Sequence, residues 1–276
     1  MDSATLAQLL TLVPLLLLAG AFAGVLAGLL GVGGGIVIVP ALYHIFGYLD
    51  INDAVRMHLA VGTSLATIIP TSIRSMRAHQ VRGSFDPALF RRLAPGIAVG
   101  AGLGTWVATL ADFATLTLVF ASVALFVSLY MALGNPRWQL REGLPSAWIY
   151  LPTVALVGGI SAMMGIGGGT MAVPVLNLYG LPIHRSVGTA AGFGLVIAVP
   201  ATLGFVAGGW GLGTLPAFSL GFVNWLAFVL IVPMTVLTVP LGAKFAHSLS
   251  TKGLQRAFAG FLGLTAARML ADIFAG

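Results

Sequence analysis

The stretch GVGGGIVIVPAL at residues 31–42 returns as GIGGGTMAVPVL at residues 165–176, 134 positions later. Gly31, Gly33, Gly34, Gly35, Val39, Pro40 and Leu42 recur unchanged in the second copy. Each copy follows a long apolar run, and each has a second match downstream: His58-x-x-x-Gly62-Thr63 and His184-x-x-x-Gly188-Thr189. The second pair is offset by 126 positions rather than 134, so the later half is shorter between its motifs. Such self-similarity marks a duplicated chain. In an apolar sequence it points to a membrane protein with a backbone-lined centre.

The composition names the solvent. Hydrophobic residues make up 58 % of the 276 and charged residues only 7 %, with a mean hydropathy of +1.03. Soluble domains carry roughly 25 % charge, so this chain cannot cover itself against water, whereas lipid suits it. Leu, Val, Ile and Phe are too abundant for a disordered chain. Cysteine is absent, which excludes disulfides, thiol catalysis and cysteine metal sites. The net charge of +6 does not imply nucleic acid, because the basic residues lie between apolar runs instead of along one face.

Ten apolar segments are expected, near 8–30, 35–48, 58–78, 89–110, 114–133, 148–164, 168–181, 186–208, 217–241 and 253–273. Most have the roughly 20 residues that a bilayer crossing needs. Segments 35–48 and 168–181 do not, and both follow a glycine cluster. A 14-residue helix covers only about 21 Å of a hydrocarbon core about 30 Å thick. These two segments are therefore half-helices starting inside the protein or displaced crossings. Five segments per half with the N-terminus outside put Arg74, Arg77, Arg82, Arg91, Arg92, Arg137, Arg141, Arg185, Lys244, Lys252 and Arg256 inside. Only Arg56 and Arg268 are left outside, in keeping with the positive-inside rule. An odd count inverts the second half. The expected fold is an all-α polytopic bundle of two inverted repeats, residues 1–134 and 148–276, joined by a polar cytoplasmic connection at 135–147. The run from Leu6 reads as a crossing rather than a cleaved leader.

Gly33, Gly34 and Gly35, with Gly167, Gly168 and Gly169, are poor residues for an uninterrupted helix, at roughly 1 kcal/mol each relative to alanine. Broken backbone at membrane depth survives only where protein or a cavity shields it. A helix beginning just after the glycines offers unpaired N–H donors and its positive end, which makes an anion site without a charged side chain. Two copies in inverted halves would aim two such ends at one volume. Pro40 and Pro174 are expected to interrupt the short helices. The competing account is close helix packing, for which small residues serve equally well. A nucleotide loop is rejected, since no Gly-Lys-Ser/Thr follows.

Thr63, Ser64 and Thr189 offer hydroxyls near the half-helices, and Asn177 is an amide within segment 168–181 that needs a partner. His58 and His184 fall near opposite faces and cannot share a metal; they are candidates for gating or proton coupling. Arg56 and Arg185 are candidates for drawing anions toward the pathway, although topology-setting is the plainer account of Arg185. All seven acidic residues fall in loops or at ends, which disfavours a cation carrier and favours an anion carrier. No catalytic set, cofactor motif or metal cluster is evident, so no enzyme activity and no cofactor are expected.

The stretches at Leu29–Pro40 and Met163–Pro174, with Ala60–Thr63 and Ser186–Thr189, resemble the sulfite exporter TauE/SafE family of membrane permeases over almost the whole chain. The resemblance implies transport of a small sulfur-containing anion across a bacterial inner membrane: sulfite, thiosulfate or an organosulfonate such as sulfoacetate. Both termini are then periplasmic. The leading expectation is an alternating-access exporter without ATP drive. A channel-like anion facilitator and a membrane assembly or sensor protein are the alternatives.

Overall fold

The computed structural model describes residues 3–30, 34–133, 140, 142–246 and 251–275. Ten helices occupy nearly all of them: α1 Ser3–Leu30, α2 Gly35–Tyr48, α3 Asp53–Val81, α4 Pro87–Leu110, α5 Phe113–Leu133, α6 Ala147–Met163, α7 Gly168–Leu178, α8 Ile183–Gly208, α9 Trp225–Ala246 and α10 Thr251–Ala275. Among the described residues, α4, α5 and α8 are individually long and apolar enough to cross a bilayer. The ten expected segments are all present as helices, with two corrections. The segment expected from 217 begins as helix only at Trp225. Before it an antiparallel ribbon pairs Ser219–Leu220 (β1) with Val223–Asn224 (β2), turning through Gly221 at φ +55°. Second, Pro40 and Pro174 break nothing, because α2 and α7 continue through them.

Helices α3 and α8 cross antiparallel at the centre. Gly62 of α3 lies beside Phe205 of α8, whereas Ile68 and Ser72 lie beside Gly194. Helix α4 runs alongside α8 in the same direction, with Phe90 against Gly192 and Thr105 against Gly204. Helix α6 runs the same way as α4, and α1 the same way as α9. Helices α5 and α10 pair at the side, where Ser128 Oγ donates to the Ala259 carbonyl at 2.7 Å.

Small residues permit the closest of these contacts. A side chain at Gly100 would overlap the Ala155 carbonyl, one at Gly104 the Gly159 carbonyl, and one at Gly158 the Ile97 carbonyl. The α1–α9 seam combines glycine with hydroxyls. Thr235 Oγ1 reaches the Gly20 carbonyl at 3.2 Å and Thr238 Oγ1 the Ala21 carbonyl at 3.0 Å. Between apolar helices in lipid, close van der Waals contact and such interhelical bonds drive association.

The helix directions set the depth of the short elements. α6 descends from the face where α3 ends and α4 and α8 begin, called the basic face because Arg82, Arg91, Arg92 and Arg185 lie there. α7 returns to that face, where the Leu178 and Tyr179 carbonyls accept from the backbone N–H of Leu140 and Gly143. α2 returns to the opposite face, where Gly47 abuts Arg56.

Gly100→Val should destabilise the protein by about 1–3 kcal/mol through overpacking at the α4–α6 seam. Gly102→Val, on the exposed side of the same helix with nothing within 4 Å of a Cβ, carries only the propensity change. Thermal melting of the two purified variants should separate them by several degrees.

Candidate functional site

The two glycine clusters meet in the interior. A Cβ at Gly35 would stand 2.6 Å from the Gly165 carbonyl oxygen and 3.0 Å from Ile166 Cα. Gly165 itself adopts φ +66° and packs against Val61, so only glycine fits there. Ser64 Oγ donates to the Gly165 carbonyl at 2.7 Å, a bond from the first half into the second cluster. The starts of α2 and α7 have glycine at the cap, Gly34 and Gly167, and neither receives a side-chain cap. Two helix N-termini with uncapped donors thus lie inside the protein near one another. Gly33 lies outside the described residues.

The glycines differ in how tightly they are held. A Cβ at Gly168 would sit 2.5 Å from Phe193 Cβ, so this residue is required for packing on α8. At Gly34 the nearest neighbour is the Ile38 side chain at 3.3 Å, and at Gly167 it is Ile68 Cγ2 at 3.7 Å. Gly167 therefore has room that packing does not use, whereas a side chain at Gly34 would have to push the end of the Ile38 side chain aside. Gly169 lies in the first turn of α7.

Thr63 and Thr189 do something other than reach toward the half-helices. Thr63 Oγ1 accepts from the Asn224 backbone N–H at 2.9 Å, and Thr189 Oγ1 accepts from the Asp86 backbone N–H at 3.2 Å. The preceding glycines make room: a side chain at Gly62 would overlap the Phe222 carbonyl, and one at Gly188 the Ser84 carbonyl. Each repeated Gly-Thr pair therefore clasps the segment leading into a helix of the other half. Asp86 and Asn224 are the caps of those helices. Asp86 Oδ1 accepts from Ala88 and Leu89, and Asn224 Oδ1 accepts from Ala227. Sequence reading treated Asp86 only as a loop acid, although Asp-Pro before an apolar run is a legible cap signal.

The histidines are not brought together. His58 is 4 % exposed near the end of α4, with its ring centroid 4.7 Å from that of Phe222. Its Nε2–H donates to the Ala108 carbonyl at 3.1 Å, which leaves Nδ1 as the lone-pair nitrogen, buried without a partner. His184 is exposed at the basic face, beyond the other end of α4. Arg56 is committed to structure. It pairs with Asp53 at 3.0 Å, donates to Tyr43 at 3.1 Å and stacks on the Tyr43 and Phe113 rings. Arg185 pairs with Asp86. Asn177 has a buried Oδ1 without a partner, but it lies in the last turn of α7, at the other end of that helix from the glycine tip. Ser161, fully buried at the end of α6 with its hydroxyl unpartnered, is a polar group near the second cluster that the sequence reading missed. Among the described residues no group of three His, Cys, Asp or Glu could hold a metal.

Thr63→Val keeps the shape but strands the buried Asn224 N–H, and should cost about 1–3 kcal/mol. Thr189→Val should cost less, since Asp86 lies nearer solvent. Comparing the melting temperatures of the two variants checks that order.

The sequence profile of the family described as sulfite exporter TauE/SafE matches residues 16–269. A "probable membrane transporter protein" of Haemophilus influenzae is 33 % identical over 265 residues, covering 94 % of this chain and 98 % of its own. One from Methanocaldococcus jannaschii is 27 % identical over 270 residues, 95 % of this chain and 97 % of its own. A third, from Bacillus subtilis, is 27 % identical over 256 residues, covering 86 % and 90 %. No solved structure matches. The duplicated glycine tips, the helical architecture and the match over nearly the whole chain lead to one conclusion: this protein belongs to the TauE/SafE sulfite exporter family of multi-pass membrane transporters.

Proposed function

We propose that the chain is a secondary carrier, acting as an exporter, for a small sulfur-containing anion such as sulfite, thiosulfate or an organosulfonate like sulfoacetate. The observation that carries this reading is the meeting of two uncapped helix starts, Gly34–Gly35 and Gly167–Gly168, inside an apolar bundle. Unpaired N–H groups and aligned peptide dipoles attract anions without a buried cation. Acidic side chains, which would repel such a cargo, are kept to loops and helix ends. The site comprises Gly34, Gly35, Gly167 and Gly168, with the Ser161 hydroxyl as a polar group still needing a partner; the Asn177 amide, at the far end of α7, would meet the anion only along the way to the basic face.

Alternating access follows from two oppositely inserted halves. Exchanging α1–α5 for α6–α10 converts the α1–α9 pairing into α6–α4, α4–α8 into α9–α3 and α2–α3 into α7–α8, all of which occur. The short hairpins α1–α2 and α6–α7 then enter from opposite faces. In this arrangement the tips are in contact, and transport requires them to separate. We assign the basic face to the cytoplasm and both termini to the periplasm of a bacterial inner membrane, in keeping with the positive-inside rule. Proton coupling, if cargo charge demands it, falls to His58 alone, because its Nδ1 is buried and unpartnered whereas His184 is exposed.

Purified protein in liposomes should move sulfite, thiosulfate or sulfoacetate with saturation and trans-stimulation. Unitary currents would instead establish a channel, and no flux across the panel would remove the transport reading. Gly167→Ala should melt with the parent protein yet lose most of the flux, whereas Gly168→Ala should lower the melting temperature as well.

A further inference from the structure

Asp86 and Asn224 hold matching places. Each caps a long helix, and each has its own backbone N–H bound by a Gly-Thr threonine of the other half. A neutral amide is enough for that task, as the 2.9 Å bond from Ala227 to Asn224 Oδ1 demonstrates. Asp86 caps α4 with Oδ1 alone, at 2.9 Å from Ala88 N and 3.0 Å from Leu89 N. Its second oxygen, Oδ2, faces Arg185, whose Nε donates at 2.7 Å. The position that matches Arg185 in the first half is Leu59, fully buried and apolar. The acid and the arginine are thus additions on one face, beyond what capping requires.

They form part of the wall of an open depression of about 600 Å³, shared with Arg82, Ser84, Phe85 and His184. The Arg185 side chain is 56 % exposed there, and the Asp86 side chain 12 %. Two arginines and a histidine face a single carboxylate. That carboxyl is held below the usual carboxylate range, first by the Leu89 N–H and then by Arg185, so it stays ionised at neutral pH.

We propose that this depression is a docking site for a small oxyanion, in which the Asp86 carboxylate is a tethered competitor for Arg185. The proposal rests on the reading of the chain as an anion carrier. A sulfonate or sulfite presents oxygens to the guanidinium much as a carboxylate does. On arrival it takes the place of Oδ2, while Oδ1 keeps α4 capped. The ionic link between the starts of α8 and α4 is then broken, while the Thr189 clasp on the Asp86 N–H and both helix ends are kept. At the matching place on the opposite face, Asn224 and the His58–Phe222 contact close the clasp and Leu59 stands where Arg185 does, so no ion pair spans that clasp.

His184→Cys gives a single thiol in the wall of the depression, because the chain contains no other. Its rates of reaction with anionic (sulfonate-bearing) and cationic (trimethylammonium-bearing) methanethiosulfonates read the local preference for anions, independently of transport. Adding Asp86→Asn, which keeps an equally good cap, should raise the anionic-to-cationic rate ratio several-fold. Sodium sulfate should then slow labelling at lower concentrations than in the single-cysteine parent. Arg185→Gln should lower the ratio below the parent, and Arg82→Gln, which leaves the ion pair untouched, should lower it less. Equal ratios in all four proteins would overturn the proposal. So would protection by phosphatidylglycerol in phosphatidylcholine vesicles with none by sulfate, since the site would then belong to a lipid headgroup. If Asp86→Asn melts early, the Arg82→Gln ratio and its sulfate protection decide the matter. A protein that moves no anion but shows these ratios would refute the carrier reading and leave the site standing.

Discussion

Inside a lipid bilayer a peptide group has no water to turn to, so every interruption of a helix must be answered by protein. The glycine tips of this chain illustrate the constraint. Residues 163–168 turn back through Gly165, and the Gly165 carbonyl is met by the Ser64 hydroxyl from the other half. The start of α2 lies directly against that turn, with nothing but glycine between the two backbones. Shielding and closeness are one requirement here. Side chains would hold the tips apart, and tips held apart would leave their peptide groups bare. The same logic underlies the proposal of an anion at the uncapped starts of α2 and α7.

The duplicated motifs have diverged in burial while keeping their geometry. Both Gly-Thr pairs clasp the chain that leads into a helix of the opposite half, yet one clasp is sealed by the buried His58 ring and the other is open and ionic. Helix α2 is buried along most of its length, whereas α7 hides only Gly168, Thr170, Ala172 and Leu176. The repeated motif thus sits at one tight face and at one accessible face. Transport in a preferred direction is compatible with that asymmetry.

The segments were legible because lipid imposes a length on helices and glycine marks where they stop, but the sequence left open whether the two short ones were half-helices or displaced crossings. The roles of Thr63 and Thr189 were not legible. Their recurrence was visible, but a hydroxyl's partner depends on which loop the fold delivers to it, and Asn224 lies 161 positions away from Thr63. Pro40 and Pro174 misled for a related reason: a proline removes one backbone bond, and a packed helix tolerates that loss. The segment at 217–224 is apolar enough to read as helix, yet it folds as a ribbon whose Phe222 covers His58. Arg56 looked like a lure for anions because it breaks the charge bias. Asp53 is its neighbour on the same helix, but the Tyr43 and Phe113 rings could be gathered around it only by tertiary structure.

The α1–α9 seam also bears on how the protein is made. Thr235 and Thr238 bond to the backbone of α1 at Gly20 and Ala21, 215 and 217 positions earlier in the chain. A ribosome therefore finishes α1 long before the surface it docks on exists, and at roughly 5–20 residues per second α1 waits for tens of seconds. During that interval its glycine notch faces lipid or a chaperone, and the first tip has no second tip to cover it. Biogenesis must keep a half-built molecule in the membrane without letting it pair with another copy's α9, which offers the same threonines. The seam that joins the two ends of one chain is equally suited to joining two chains, so synthesis rate and local crowding govern which product forms.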